Sequence, residues 1–303
     1  MLRKTCAKYL RDCTMTPSQP ATIASPPLTE PGFVPTPPKA SPRPTGHLIR
    51  AKTLWLSDIH LGFRDSKVDY LLDFLNNVHC ETLYLVGDIV DLWAMKRRFC
   101  WPAKHYQVML KFYEMAAKGI RVIYVPGNHD DPMRRFDGEL FGPIEIAEEC
   151  EHRTADGKRL LVMHGDAMDA YINHSWLARV IGDHGYELLL FINRWSNRIR
   201  KWMGRPYFSL AGLIKSNIKG AKAAIETYER EALDEARRRG FDGVVCGHIH
   251  YPALREEHGL RYANCGDWIE SCTALVEDHQ GTMRLLHYSD KIEWQELQHL
   301  QTA

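Results

Sequence analysis

Five short segments of the chain carry carboxylate, imidazole and amide side chains at spacings that suit metal binding. These segments are Asp58-Ile59-His60, Gly87-Asp88, Gly127-Asn128-His129-Asp130, His164-Gly165-Asp166 and Gly247-His248-Ile249-His250. Such donors favour divalent transition-metal ions, with Mn, Fe and Zn as candidates. The set contains more ligands than one ion needs, so two ions that share a carboxylate would use it best.

Each of these segments stands at or just after the end of a predicted strand. The predicted strands are Lys52–Ser57, Thr82–Val86, Ile120–Val125, Arg159–Met163 and Gly243–Cys246. Helical spacing at Tyr70–Val78 and Tyr106–Ala117 separates the first three strands. This alternation predicts an α/β fold with parallel strands, in which ligands bind beyond the carboxyl ends of the strands. We therefore expect the five segments to converge on one edge.

Three further regions complete the predicted elements. Ile144–His152 and Arg159–Met163 flank an Asp156-Gly157 turn, which predicts a hairpin. Residues 174–239 are predicted to be almost wholly helical. Residues 253–288 are predicted to be antiparallel strands.

The order D-x-H, GD, GNHD, HGD and GHxH resembles that of the calcineurin-like metallophosphoesterases over about residues 53–288. The resemblance implies a four-layer αββα sandwich with a two-ion site at the ends of its sheets. The residues that match the ligands of the first ion are Asp58, His60, Asp88 and His250. The residues that match the ligands of the second ion are Asp88, Asn128, His164 and His248. Asp88 would bridge the two ions.

The chemistry of such a pair is phosphoester hydrolysis. Two ions clamp a phosphoryl oxygen and lower the pKa of a shared water, so that hydroxide attacks phosphorus in line. His129 adjoins Asn128, and adjacent side chains point apart, so His129 is predicted to donate to the phosphoryl oxygen or leaving group. Two roles remain open for Asp130: it orients His129, or it caps the loop. Asp91 is predicted to be a structural cap.

Within this superfamily the chain looks most like the UDP-2,3-diacylglucosamine pyrophosphatases. The segments that carry this resemblance are GDIVDLW, HGDAMD, GHIHYPA and NCGDW. It implies Mn-dependent cleavage of a lipid-linked nucleotide sugar of lipid A biosynthesis, which releases UMP and an acylated glucosamine 1-phosphate. It also implies a helical insertion, or lid, between the HGD and GHxH motifs. One departure concerns His129, because the best-known form of that enzyme has Arg there.

The insertion is basic and amphipathic. Residues 194–222 contain eight basic side chains and no acidic one, and apolar residues recur at three- and four-residue spacing from Leu188 to Trp202. This pattern is typical of a membrane-surface element or a lid over acyl chains, but a helix packed on the core with solvated charges would share it. Lys215 and Lys219 lie one turn apart and are candidate phosphate contacts. No nucleic-acid motif accompanies the basic residues, so a nucleic-acid partner is not expected.

The N-terminal segment has a different composition from the rest. Residues 15–46 hold ten of the 16 prolines. We expect residues 1–47 to form a disordered tail and residues 48–303 to form one metallophosphoesterase domain, with its insertion at about 174–239. The eight cysteines include no C-x-x-C pair, and no apolar run reaches about 18 residues. These features favour a cytoplasmic protein with reduced thiols, in peripheral contact with the inner membrane through the insertion.

Three functions remain open at this point. The leading hypothesis is hydrolysis of a phosphorylated small molecule or lipid at the membrane face. A phosphodiesterase or phosphatase for soluble nucleotides or phosphoproteins is the first alternative, and His129 is compatible with it. A non-catalytic scaffold is the second, but such scaffolds have often lost metal ligands, and here none is missing.

Overall fold

Buried strands and amphipathic helices alternate through the computed structural model, which describes residues 49–171, 219–288 and 295–296. The strands are β1 Ile49–Arg50, β2 Thr53–Leu56, β3 Val78–His79, β4 Thr82–Val86, β5 Arg121–Val125, β6 Leu140–Phe141, β7 Ile144–Ile146, β8 Glu149–Arg153, β9 Arg159–Met163, β10 Gly243–Cys246, β11 Ala253–Glu257, β12 Leu260–Asn264, β13 Thr273–Glu277, β14 Met283–His287 and β15 Gln295–Glu296. The helices are α1 Val68–Asn77, α2 Leu92–Arg97, α3 Ala103–Ala117 and α4 Lys219–Arg238, with 3₁₀ turns at Asp131–Phe136 and Asp166–Tyr171.

The strands form two mixed sheets and one short parallel pair, β1 with β3. The first sheet has the order β15-β14-β13-β2-β4-β5-β7-β6, and the second has the order β11-β12-β10-β9-β8. Strands β2, β4, β5 and β7 are parallel in the first sheet, as are β9, β10 and β12 in the second. Parallel strands with intervening helices are therefore confirmed, and their carboxyl ends share one direction within each sheet.

The two faces of the first sheet pack against different layers. Because successive side chains of a strand point to opposite faces, Leu54 and Leu56 pack with helices α1 and α3, while Trp55 faces the second sheet. The side chains of β9 alternate in the same way: Val162 lies in the core between the two sheets, and Leu161 packs beneath α4. The layer order is thus helices, sheet, sheet, helix, which confirms the predicted four-layer sandwich.

Two predicted elements differ from the structure. The predicted strand 144–152 is two strands, because β7 pairs with β5 in the first sheet while β8 forms the predicted hairpin with β9 in the second. The C-terminal region is only partly antiparallel, since β12 also pairs in parallel with β10. An apolar pattern shows that a strand is buried but does not show which sheet buries it.

Some predictions concern residues outside the described ranges. These include the tail 1–47 and most of the insertion, of which only α4 is described. The six described cysteines are free thiols: Cys80, Cys100, Cys150, Cys246, Cys265 and Cys272. Within the described ranges, no helix has both the length and the apolar character needed to cross a membrane.

Candidate metal centre

The carboxyl ends of five strands from both sheets meet at one place. Asp58, Asp88 and Asn128 follow β2, β4 and β5 of the first sheet. His164 and His248 follow β9 and β10 of the second sheet. The predicted site residues are therefore brought together by the packing of two sheets and not by a single sheet edge.

The backbone turns sharply where these strands end. Five of the seven predicted ligands adopt a left-handed φ: Asp58 (51°), His60 (51°), Asp88 (54°), His248 (70°) and His250 (53°). Residues with a Cβ seldom adopt this conformation unless tertiary contacts impose it, and such residues cluster at functional sites. The contacts here include backbone hydrogen bonds from Asp58 N to Gly87 O (3.0 Å) and from His60 N to Asp88 O (2.8 Å).

Two motif positions must be glycine because neighbouring side chains lie too close to leave room for a Cβ. A Cβ at Gly127 would collide with the Asp88 carboxylate, and a Cβ at Gly247 would collide with Ser57 Oγ and the Asp58 carboxylate. The glycines beside Asn128 and His248 thus allow neighbouring loops to close around the two carboxylates.

Each of the two central carboxylates is held through one oxygen and presents the other to imidazoles. Asp58 Oδ2 accepts from Ser57 Oγ and from His248 N (3.0 Å), while Oδ1 lies 3.2 Å from His250 Nε2. Asp88 Oδ1 accepts from the backbone N of His129 (2.8 Å). Asp88 Oδ2 lies 3.5 Å from His164 Nε2 and 3.7 Å from His60 Nε2.

The imidazoles of His60 and His164 are each oriented by a hydrogen bond at Nδ1, the ring nitrogen that faces away from the centre of the site. His60 Nδ1 contacts Asp91 Oδ2 (3.1 Å), and His164 Nδ1 contacts Val86 O (3.1 Å). Their Nε2 atoms face the centre, where His164 Nε2 is 3.3 Å from Asn128 Oδ1. A hydrogen bond at Nδ1 that directs Nε2 inward is the usual arrangement behind metal-ligating histidines.

The donor atoms fall into groups that suit metal ions. Three groups have ligand atoms within 4.8 Å of one another: Asp58, His60 and His250; Asp88, His164 and His248; and His60, Asp88 and His129. Asp58 Oδ1 and His60 Nε2 are also buried without a hydrogen-bond partner. Buried polar atoms normally have partners, so these two atoms fit a site in which a cation completes the coordination. The residues present therefore fit the predicted pair of ions.

The electrostatics of the cluster are those of tightly paired opposite charges. Burial alone would raise the pKa of Asp58, but His250 and His60 hold it well below its usual value. Burial alone would lower the pKa of His164, but Asp88 raises it to about 10. Burial likewise opposes protonation of His60, yet the nearby carboxylates of Asp58 and Asp91 raise its pKa to about 10. Because a cation binds the neutral imidazoles, metal and protons compete for this site.

His129 is oriented by Asp91 and not by Asp130. His129 Nδ1 lies 2.9 Å from Asp91 Oδ1, and the Trp93 ring lies against the imidazole with centroids 4.3 Å apart. Asp91 also caps α2 by accepting from Ala94 N (2.7 Å), so the predicted capping role is only part of what it does. The signal in the sequence was its position three residues after Asp88, which places it beside the site at the start of a helix.

Asp130 has the loop-capping role. It is fully buried and accepts hydrogen bonds from Ile89 N (2.8 Å), Gly127 N and Tyr124 Oη. Of the two roles that the sequence left open, loop capping is confirmed and orientation of His129 is not, because the Asp130 carboxylate joins the loop after β5 to the loop after β4.

The predicted phosphate contacts are not described. Lys215 lies outside the described residues. Lys219 begins α4, and the structure describes its backbone only. Both remain predictions.

Comparison with known proteins agrees with the site. Residues 51–252 match the family model described as calcineurin-like phosphoesterase. The chain belongs to the calcineurin-like phosphoesterase family. It is therefore a metal-dependent hydrolase of phosphoester or diphosphate bonds, since this family uses a pair of divalent ions and the donor groups for them are present.

Curated relatives and solved structures show further similarity. UDP-2,3-diacylglucosamine hydrolase of Aliivibrio fischeri is 25% identical over 260 residues, which cover 79% of this chain and 95% of the relative. The protein of the same name from Xanthomonas campestris is 26% identical over 243 residues, covering 76% and 96%. The structure of vacuolar protein sorting 29 from Cryptosporidium parvum has a TM-score of 0.42 at 14% identity, covering 80% of this chain and 94% of that one.

Proposed function

We propose that the chain hydrolyses the diphosphate of UDP-2,3-diacylglucosamine, releasing UMP and an acylated glucosamine 1-phosphate, with Mn as its metal. The observation that carries the hydrolytic part is the Asp88 carboxylate, whose Oδ2 faces both His60 and His164 and so stands between the two donor groups. The names and high coverage of the curated relatives support the substrate. With such a substrate, we expect the enzyme to act at the cytoplasmic face of the inner membrane.

The proposed ligands are those that the sequence indicates. Asp58, His60, Asp88 and His250 would hold one ion. Asp88, Asn128, His164 and His248 would hold the other. A bound pair of this kind supplies Lewis-acid polarisation of the phosphoryl group and an activated water.

In this proposal, His129 is the proton donor beside the phosphoryl group of the bound substrate. Because His129 Nδ1 contacts Asp91, the opposite atom, Nε2, remains to donate a proton to the phosphoryl or leaving oxygen. His129 Nε2 lies 3.9 Å from Asp88 Oδ2, and a quarter of its side chain is exposed. The imidazole therefore borders both the metal ligands and the opening of the site.

A phosphodiesterase acting on soluble substrates is the second candidate function. It is favoured by His129 itself, which replaces the Arg of the best-known UDP-2,3-diacylglucosamine pyrophosphatase. In this reading the metal ligands and His129 keep their roles, and only the substrate changes.

The deciding experiment is a Mn-supplemented assay with UDP-2,3-diacylglucosamine, in which UMP is measured by chromatography. Asp88→Asn is the inactive control, and Asp131→Asn, an exposed carboxylate two residues from His129, is the matched variant that should keep activity. UMP release that Asp88→Asn abolishes supports the proposal. Hydrolysis of bis-p-nitrophenyl phosphate without UMP release refutes the substrate and favours the second function. No hydrolysis of either compound by metal-loaded protein favours a scaffold.

A further inference from the structure

A group of exposed apolar and basic side chains borders the metal centre on α2 and the residue pair that follows it. We call it the α2 patch, and it consists of Trp93, Lys96, Arg97, Arg98 and Phe99. All five are exposed, Phe99 to 74% and Trp93 to 46%. Helix α2 has no buried residue at all. The exposure of the five patch side chains is therefore not explained by packing within the described part of the chain.

The three cations of the patch are consecutive in the chain and have no carboxylate partner. No described residue forms an ion pair with Lys96, Arg97 or Arg98. The other run of three consecutive cations in the described ranges, Arg237 to Arg239, is paired, for example Arg237 with Asp234 at 2.7 Å and Arg238 with Glu235 at 2.6 Å. Single exposed arginines such as Arg50 and Arg135 also lack an ion pair, but they are not part of such a run. Three adjacent unpaired cations beside an exposed Phe combine electrostatic attraction to anions with a side chain that can enter an apolar layer.

The patch is joined to the metal centre. Asp91, which contacts His60 and His129, is the N-cap of α2. Trp93 connects the two regions directly, since one side of its ring lies on His129 while nearly half of the side chain is exposed. Whatever binds the patch therefore lies next to the site of hydrolysis.

We infer that the α2 patch docks on the surface of an anionic phospholipid bilayer. The other occupants fit poorly because of charge. The long segments outside the described ranges are themselves basic: residues 1–48 have six Lys and Arg against two Asp and Glu, and residues 172–218 have seven against two. A two-fold contact between two copies would place the same three cations against each other. An anionic bilayer supplies both the missing negative charge and an apolar layer for Phe99.

The residues of the α2 patch lie outside the segment 174–239 in the chain, and binding through them does not depend on the identity of the substrate. Docking through α2 would bring the metal centre to the lipid surface and would shorten the path of a lipid-anchored substrate to it.

The test measures binding of the full chain to vesicles of phosphatidylcholine, with and without phosphatidylglycerol, by co-sedimentation. Wild-type protein should bind the anionic vesicles and be released by salt. The variant Lys96→Ser/Arg97→Ser/Arg98→Ser should bind about a hundredfold more weakly, roughly a factor of five for each cation removed. The matched control Arg50→Ser/Lys118→Ser/Arg153→Ser removes equal charge from exposed positions elsewhere and should change binding by no more than a few fold.

A second pair of variants tests the apolar contact. Phe99→Ser should weaken binding about tenfold, and the weakening should persist at high salt, because it removes apolar burial. Leu140→Ser, which is exposed to 68% on β6, should have no such effect. All variants should hydrolyse bis-p-nitrophenyl phosphate as the wild type does, which shows that the fold and the metal centre are intact.

Three outcomes would overturn the proposal. They are wild-type protein that does not distinguish anionic from neutral vesicles, a triple α2 variant that binds as the wild type does, and a control triple variant that loses binding equally. Because the vesicles contain no nucleotide sugar, the result stands whether or not the proposed substrate is correct.

Discussion

Asp91 Oδ1 lies 2.9 Å from His129 Nδ1, and the second oxygen of the same carboxylate lies 3.1 Å from His60 Nδ1. One side chain thus orients both a predicted metal ligand and the predicted proton donor. Burial would raise the pKa of Asp91, but hydrogen bonds to His129 and His60 hold it well below its usual value. Asp91 therefore remains charged at neutral pH, and its two oxygens can accept hydrogen bonds from both imidazoles.

Replacing Asp91 by Asn should lower turnover by about 10- to 100-fold, because the neutral amide loses the charge that orients both imidazoles while it can still cap α2. The measurement is kcat with saturating Mn, together with metal content by elemental analysis. Asp131→Asn provides the control. Unchanged kcat would show that the contact is only structural.

Replacing His129 by Ala should lower kcat by about 10²- to 10⁴-fold while the protein keeps two ions per chain, because His129 donates a proton and the predicted ligand sets do not include it. Elemental analysis of the purified, Mn-supplemented variant checks the metal content. If ions and turnover were lost in parallel, His129 would instead be a ligand.

Asp130→Ala should destabilise the fold by about 3 kcal/mol or more, because it leaves the buried donors Ile89 N and Gly127 N and the Tyr124 hydroxyl without their acceptor. Urea denaturation measures this change. The exposed neighbour variant Asp131→Ala should stay within about 0.5 kcal/mol of the wild type. An equally small effect for Asp130→Ala would contradict the loop-capping role.

Arg134 and Asp166 connect the loops that carry Asn128 and His164. Arg134 Nη2 is 2.8 Å from both oxygens of Asp166, which joins the ends of β5 and β9 across the two sheets. Arg134→Met should therefore weaken binding of the second ion about tenfold and leave the first ion in place. Calorimetric Mn titration of the metal-free protein would show this as a change in one of two binding steps. Arg135→Met is the matched control, and equal weakening of both steps would refute a local role.

A buried polar cluster between the sheets makes stability depend on pH. Glu277 of β13 contacts His152 Nε2 (2.9 Å), Thr53 Oγ1 (2.8 Å) and Ala155 N (2.6 Å). Burial would raise the pKa of Glu277, but these hydrogen bonds lower it below its usual 4.5. A lowered carboxyl pKa stabilises the folded state above pH 4.5, and this stabilisation is lost as pH falls through the folded-state pKa.

Glu277→Gln should accordingly lower the free energy of unfolding at pH 7 by about 1–3 kcal/mol. The difference from the wild type should shrink as pH falls from 4.5 through the lower folded-state pKa, below which the carboxyl group is neutral in both states. Urea unfolding at pH 7 and at successively lower pH measures both changes, with the exposed variant Glu81→Gln as the control. A difference that does not depend on pH would show that the charge of Glu277 contributes nothing.

The strands and the meeting of the motif residues could be predicted from the sequence pattern, whereas the four-layer order was implied only by the resemblance to the calcineurin-like metallophosphoesterases. Apolar runs such as Thr82–Val86 and Gly243–Cys246 mark buried strands, and polar residues directly after them must lie at carboxyl ends. The physical reason is local: strand burial and strand direction follow from the alternation of apolar segments and helices along the chain.

Only the tertiary structure decided which carboxylate forms hydrogen bonds with which groups. Asp130 is next to His129 in the chain, yet its side chain is buried among backbone donors from the β4 loop, while Asp91 reaches His129 from 38 positions away. Likewise, β7 and β8 are consecutive in the chain and were predicted as one strand, but they belong to different sheets. Hydrogen-bond partners and sheet membership depend on how distant segments pack, and residue type and local spacing do not determine that packing.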